Sequence, residues 1–206
     1  TLIAVLLNDG TGGLLPAVTY SMGAGSRPHS LVIADFNQDG KLDIAVADYG
    51  ANNVGIRLGT GNGTFPTVTT FATGTGPHSI RTGDLNGDGR LDLVTANDQS
   101  ETASILLGNG NGTFAARTDY AVGKVPKGIA IGDVDGDGIP DVLSGNTGGN
   151  YPTCCVATGG DNVSVLIGTG SGNFLPKYEV TAGVTPFAVI VADLNGDGRA
   201  DIVALT

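Results

Sequence analysis

The sequence predicts an all-β fold, a β-propeller of four four-stranded blades in which the last blade is closed by the N- and C-terminal half-blades. Three observations predict it. A nine-residue Asp-rich segment returns four times, short apolar runs flank each copy at fixed offsets, and glycines interrupt every window long enough for a helix. The 206 residues include 35 Gly, 40% apolar and 5% aromatic residues, without the three-residue Gly order of collagen. One domain over 1–206 follows.

Residues 1–28 read as a half-blade, with Leu2 to Leu7 as one strand and Leu14 and Tyr20 where full repeats place aromatics. Repeats begin near 29, 78, 127 and 187. Each opens on an apolar run (31–34, 80–83, 129–132, 189–192), crosses the Asp-rich segment and continues in a second run (44–47, 93–96, 142–145, 202–205). A third run ends in a Gly-rich turn closed by Phe65, Phe114 or Phe174, and a fourth carries Phe71, Tyr120 or Val180. Four strands per repeat is the content of a propeller blade. The segments start at Asp35, Asp84, Asp133 and Asp193, and the longer last interval is an inserted loop, 146–161, holding Tyr151, Cys154 and Cys155. The last repeat supplies strands one and two and residues 1–28 supply three and four. The strand ending at Leu205 is therefore expected beside Leu2 to Leu7.

The repeated segment reads Asp-x-(Asn/Asp)-x-Asp-Gly-x-x-Asp. Oxygens at positions 1, 3, 5 and 9, with the carbonyl at 7, make a shell for a hard cation, and Gly at 6 allows the tight reversal. The ligand sets are Asp35, Asn37, Asp39, Lys41 and Asp43; Asp84, Asn86, Asp88, Arg90 and Asp92; Asp133, Asp135, Asp137, Ile139 and Asp141; and Asp193, Asn195, Asp197, Arg199 and Asp201. Four Ca²⁺ sites are expected. An EF-hand is excluded, because position 12 holds Val46, Thr95, Ser144 and Ala204. Asp-Gly and Asn-Gly also make plain β-turns, which accounts for the Gly and one Asp but not for Asp at 1, 5 and 9 in every copy.

Segments such as Asp84-Leu-Asn86-Gly-Asp88-Gly-Arg90-Leu-Asp92 and Gly108-Asn-Gly-Asn-Gly-Thr-Phe114 resemble the FG-GAP/VCBS repeat family, the β-propeller of integrin α subunits among them, and the likeness covers essentially the whole chain. The resemblance implies a calcium-loaded propeller, extracellular or at the cell surface, used for adhesion, ligand binding or scaffolding. Members close with seven or eight blades, so the alternative to a closed four-blade ring is part of a larger ring or repeat array. The expected function is non-enzymatic binding of a protein or carbohydrate. The alternatives are a lectin-like role and a structural subunit that assembles with copies of itself through complementary half-blades.

The remaining features narrow the chemistry. A net charge of −10 repels nucleic acid, and no apolar run exceeds six residues, which excludes a membrane-spanning helix. No Gly-x-Ser-x-Gly is present and the clustered carboxylates are committed to the loops, so no enzyme is expected. His29 and His78, at matching positions, and Tyr151 in the inserted loop are candidate ligand contacts. Asn62, Asn111 and Asn162 fit the glycosylation acceptor pattern. Cys154 and Cys155 are a candidate vicinal disulfide, and the inserted loop is the expected meeting point with a partner.

Overall fold

The computed structural model describes residues 2–149 and 161–206, and the central part of the inserted loop, with Tyr151, Cys154 and Cys155, lies outside the described residues. The described residues form strands and turns without a helix. β1 (Leu2–Val5) and β2 (Val18–Ser21) make an antiparallel pair. Three full sheets follow, each a meander: β3 (Pro28–Ala34), β4 (Asp43–Asp48), β5 (Asn53–Arg57) and β6 (Thr69–Ala72); β7 (Pro77–Gly83), β8 (Asp92–Asn97), β9 (Thr102–Leu106) and β10 (Thr118–Ala121); β11 (Pro126–Gly132), β12 (Asp141–Asn146), β13 (Asn162–Leu166) and β14 (Tyr178–Thr181). β15 (Ala188–Ala192) and β16 (Asp201–Leu205) close the chain as a second two-stranded sheet.

The five sheets stack in a row, and four apolar clusters fill the four gaps between them. Period-two alternation aims successive side chains at opposite gaps. Ile44 and Val46 face β1–β2, while Ala45 and Ala47 face the second full sheet. β4, β8 and β12 are consequently buried along their whole length, whereas the fourth strands are mostly exposed. The aromatics that close the Gly-rich turns bolt sheet to sheet. Phe114, from the second full sheet, packs edge-on against Phe36 and Phe71 of the first at 5.9 and 5.3 Å between centroids.

The position-9 aspartate ties each sheet together internally. Asp92 is fully buried, and its two oxygens accept from Leu85 N–H at 2.8 Å and Gly108 N–H at 2.7 Å. Asp43 does the same for Phe36 and Gly59, and Asp141 for Val134 and Gly168. One carboxylate thus clasps the Asp-rich loop to the Gly-rich turn. Only glycine fits at that turn, because a Cβ on Gly108 would meet the Leu91 carbonyl.

The expected pairing of the chain ends is absent among the described residues: β1 pairs with β2 and β16 with β15, at opposite ends of the row. No ring closes. The first strands pack in the order β3, β7, β11 and β15, so among the described residues the end sheets pack against their row neighbours and not against each other. Both ends show the cost. Leu2, Leu14, Leu31 and Ile33 are exposed at one, and Ile190, Leu194, Val203 and Leu205 at the other.

Removing the clasp should cost stability in proportion to the donors it strands. In chelator, Asp92→Ala leaves two buried N–H groups without acceptors, at about 1–3 kcal/mol each. Asp201→Ala strands only Leu194 N–H, on an exposed residue, and should cost much less. Urea denaturation that ranks the two variants equally would overturn the clasp.

Candidate functional site

The four Asp-rich loops form as tight turns between strands one and two of each repeat, and their carboxylates are first of all caps for the loop's own backbone. Asp133 accepts from Gly136 and Asp137 N–H with one oxygen and from Gly138 N–H with the other, at 2.7, 3.2 and 2.8 Å. Position 3 accepts from position 5, as Asn86 does from Asp88 and Asn195 from Asp197. Position 5 accepts from position 7: Asp137 from Ile139, Asp88 from Arg90, Asp39 from Lys41, Asp197 from Arg199. The side chains of Lys41 and Arg90 lean back onto Asp39 and Asp88 in exposed ion pairs, which contribute little.

Oxygen donors still converge. In the third full sheet's loop Asp133, Asp135 and Asp141 each bring a carboxylate oxygen within 4.8 Å of the others. Asp137 is outside that group. The other loops have Asn at position 3 (Asn37, Asn86, Asn195), a neutral oxygen donor in place of a charged one. Burial, with Asp135 and Asp133 among the charges nearby, raises the Asp141 carboxyl above its ordinary value, and burial raises Asp92 in the same way. Asp133 Oδ2, Asp135 Oδ1 and both Asp141 oxygens each accept a single N–H and keep a second lone pair, so the backbone bonds leave room for a cation.

A second feature lies where the first strands meet. β3 packs on β7, β7 on β11 and β11 on β15, so the sheets fan out from this line. At its start the register slips by one residue in each full sheet. Pro28 pairs with Asp48 but Ser30 with Ala47; Pro77 with Asn97 but Ser79 with Ala96; Pro126 with Asn146 but Gly128 with Gly145. His29, His78 and Lys127 are the residues left over, and such bulges re-aim side chains. They converge. His29 stacks on Tyr49 at 4.4 Å, His78 meets His29 edge-on at 5.0 Å, and Phe187 meets His78 at 5.9 Å.

Lys127 Nζ donates to Asp98 Oδ2 at 2.6 Å in an ion pair whose carboxylate side is 3% exposed. Burial, then Lys127 and His29, pushes the His78 imidazole down to about 4, and burial with Arg27 and Lys127 lowers His29 as well. The sequence brought forward the two His residues. Lys127 and Phe187 occupy the equivalent positions in the other repeats, six before the first Asp of each loop and each after a proline (Pro28, Pro77, Pro126 and Pro186), but the sequence did not show that the four side chains meet.

The acceptor candidates have local roles. Asn62 and Asn111 are exposed and use their side-chain oxygens to cap Thr64 and Thr113, while Asn162 starts β13, half-buried, with its amide donating to Glu179.

An FG-GAP-like repeat model matches residues 2–46, 35–95, 84–144 and 151–204. Among solved structures, the chain is similar to a lectin of Agrocybe aegerita described for recognition of non-reducing terminal N-acetylglucosamine, with TM-score 0.60 and 23% identity over 98% of this chain and 54% of that one. It is similar to the biofilm matrix protein Bap1 of V. cholerae (TM-score 0.52, 20% identity, 90% of this chain and 30% of that one). A rhamnogalacturonan lyase of Bacillus licheniformis also matches (TM-score 0.54, 18% identity, 95% and 34%). The chain spans about half or less of these structures, and at these identities they show the fold alone. No curated protein matches.

The depressed imidazole sets a pH dependence. His78 stays neutral in the folded chain while the unfolded chain takes up a proton below pH 6.5, so its contribution is complete above 6.5 and is lost as pH falls toward 4. Melting temperatures across that interval should therefore drop less steeply for His78→Gln than for the parent. Parallel curves would mean that His78 titrates as a free imidazole.

Proposed function

This chain belongs to the FG-GAP-like repeat family, and from that membership we propose that it is a run of calcium-binding propeller blades, working outside the cell as a non-catalytic module for adhesion or ligand binding. The observation that carries the metal is the convergence of Asp133, Asp135 and Asp141. Their all-oxygen donor set suits a hard cation, and four such loops concentrate 13 of the 20 acidic residues, a local charge that a divalent ion offsets. Positions 1, 3, 5 and 9 of each loop would hold the ion. What it supplies is rigidity between strands one and two, since the unfolded chain has no formed site.

The lectin and the biofilm matrix protein among the structural neighbours support a binding or adhesive role for the fold. The exposed apolar faces at both ends of the row support a second element of the reading, that further blades of the same kind cover them in the working protein, from a longer chain or from copies of this one.

Calorimetric titration should find four Ca²⁺ per chain, and Asp133→Ala should lower that number by one. Each site should add about 2.7 kcal/mol of stability when calcium exceeds its dissociation constant a hundredfold. Absence of calcium uptake at millimolar concentration would overturn the metal reading. Light scattering tests the end faces. The chain 1–206 should self-associate through them, and a monomer at all concentrations would remove the need for further blades.

A further inference from the structure

The cleft between the first strands has a built chemistry that the calcium loops do not use. It encloses about 230 Å³ and is open on one side. At about 30 Å³ per water this is room for roughly eight waters, one small ring with its substituents, and it is below the about 300 Å³ of drug-sized sites. Its walls come from β3, β7, β11 and β15 together, so all four repeats contribute.

Three observations give it a preference. The first is Arg81. Its equivalents in the other first strands are Val32, Ala130 and Ile190, so a guanidinium stands in the cleft wall where the repeat calls for an apolar side chain. Arg81 donates to the Ile80 carbonyl at 2.8 Å and has no ion-pair partner among the described residues, whereas Lys127 is engaged by Asp98. No carboxylate is among the residues lining the cleft, in a chain of net charge −10.

The second is the aromatic pair, the His78 imidazole and the Phe187 ring perpendicular to one another at 5.9 Å, with Ser30 and Ser79 also in the lining. The third is strain in the chain just before two of the lining segments. Val125 and Thr185, directly before Pro126 and Pro186, hold φ of +50° and +55°. Left-handed backbone at β-branched residues costs on the order of 1–3 kcal/mol and persists where the surroundings impose it, commonly at ligand sites. Here it leads into Lys127 and Phe187.

We propose that this cleft binds a carboxylate-bearing sugar ring, its carboxylate held by the Arg81 guanidinium and its ring laid against the face of Phe187. The planar fork of the guanidinium matches a carboxylate in two parallel hydrogen bonds, and the Phe187 face and the serine hydroxyls read the apolar and polar edges of a pyranose. This names the ligand class for the binding module proposed above, but it does not depend on calcium.

The test is titration of the 206-residue chain with glucuronate, glucose and acetate, followed by calorimetry. Glucuronate should bind at least tenfold tighter than either of the others. Arg81→Ala, which restores the residue type of the other repeats and should fold, should weaken glucuronate binding by roughly tenfold or more, the worth of a hydrogen bond to a charged group, with melting and calcium uptake as in the parent. Phe187→Ala should weaken glucuronate and leave acetate unchanged. Glucose as tight as glucuronate, acetate as tight as glucuronate, or an unaffected Arg81→Ala would each overturn the proposal. Loss of calcium uptake with glucuronate binding intact would overturn the metal reading alone.

Discussion

Everything else in this structure depends on a buried carboxylate that accepts two backbone N–H groups at once. Asp43, Asp92 and Asp141 each join the second residue of an Asp-rich loop to the glycine that starts a Gly-rich turn. The side chain of that second residue (Phe36, Leu85, Val134) enters the gap toward the following sheet, and the aromatic that closes the turn (Phe65, Phe114, Phe174) enters the gap toward the preceding one. The clasp therefore fixes both bolts relative to one another. A buried carboxylate is expensive unless its oxygens are satisfied, and the two N–H donors meet that requirement.

Strand content and the Asp-rich turns were legible in the sequence because each is written locally, as a period of two, a Gly or a fixed offset. The role of position 9 was legible only in part. Its constancy suggested a ligand, while in the structure Asp92 and its counterparts Asp43 and Asp141 accept backbone N–H groups, a role that spacing alone does not reveal. Closure was not legible. It depends on the angle accumulated across gaps, which is set by how side chains such as Ile56, Ile80 and Leu106 interlock across sheets far apart in sequence. Of the candidate contacts, His29 and His78 were readable from their matching positions, but the bulges that gather them with Lys127 and Phe187 follow from a register slip that no single repeat reveals.

The Asp-rich loops show how one residue type serves two ends. Their carboxylates cap the loop backbone, and in the third full sheet's loop three of them also bring oxygens together. Backbone caps of this kind fix the loop's conformation and with it the spacing of those oxygens.

Sheets that touch mainly their neighbours behave as elements in series, each helped by the one before and the one after, and such arrays loosen from their ends. The cleft departs from that rule. His78 and Phe187 belong to sheets two places apart in the row and meet at 5.9 Å, across the strand that carries Lys127. A contact that skips a neighbour turns a series into a loop, so the ring pair of His78 and Phe187 ties the exposed β15–β16 pair to the middle sheet of the row and holds that end against fraying.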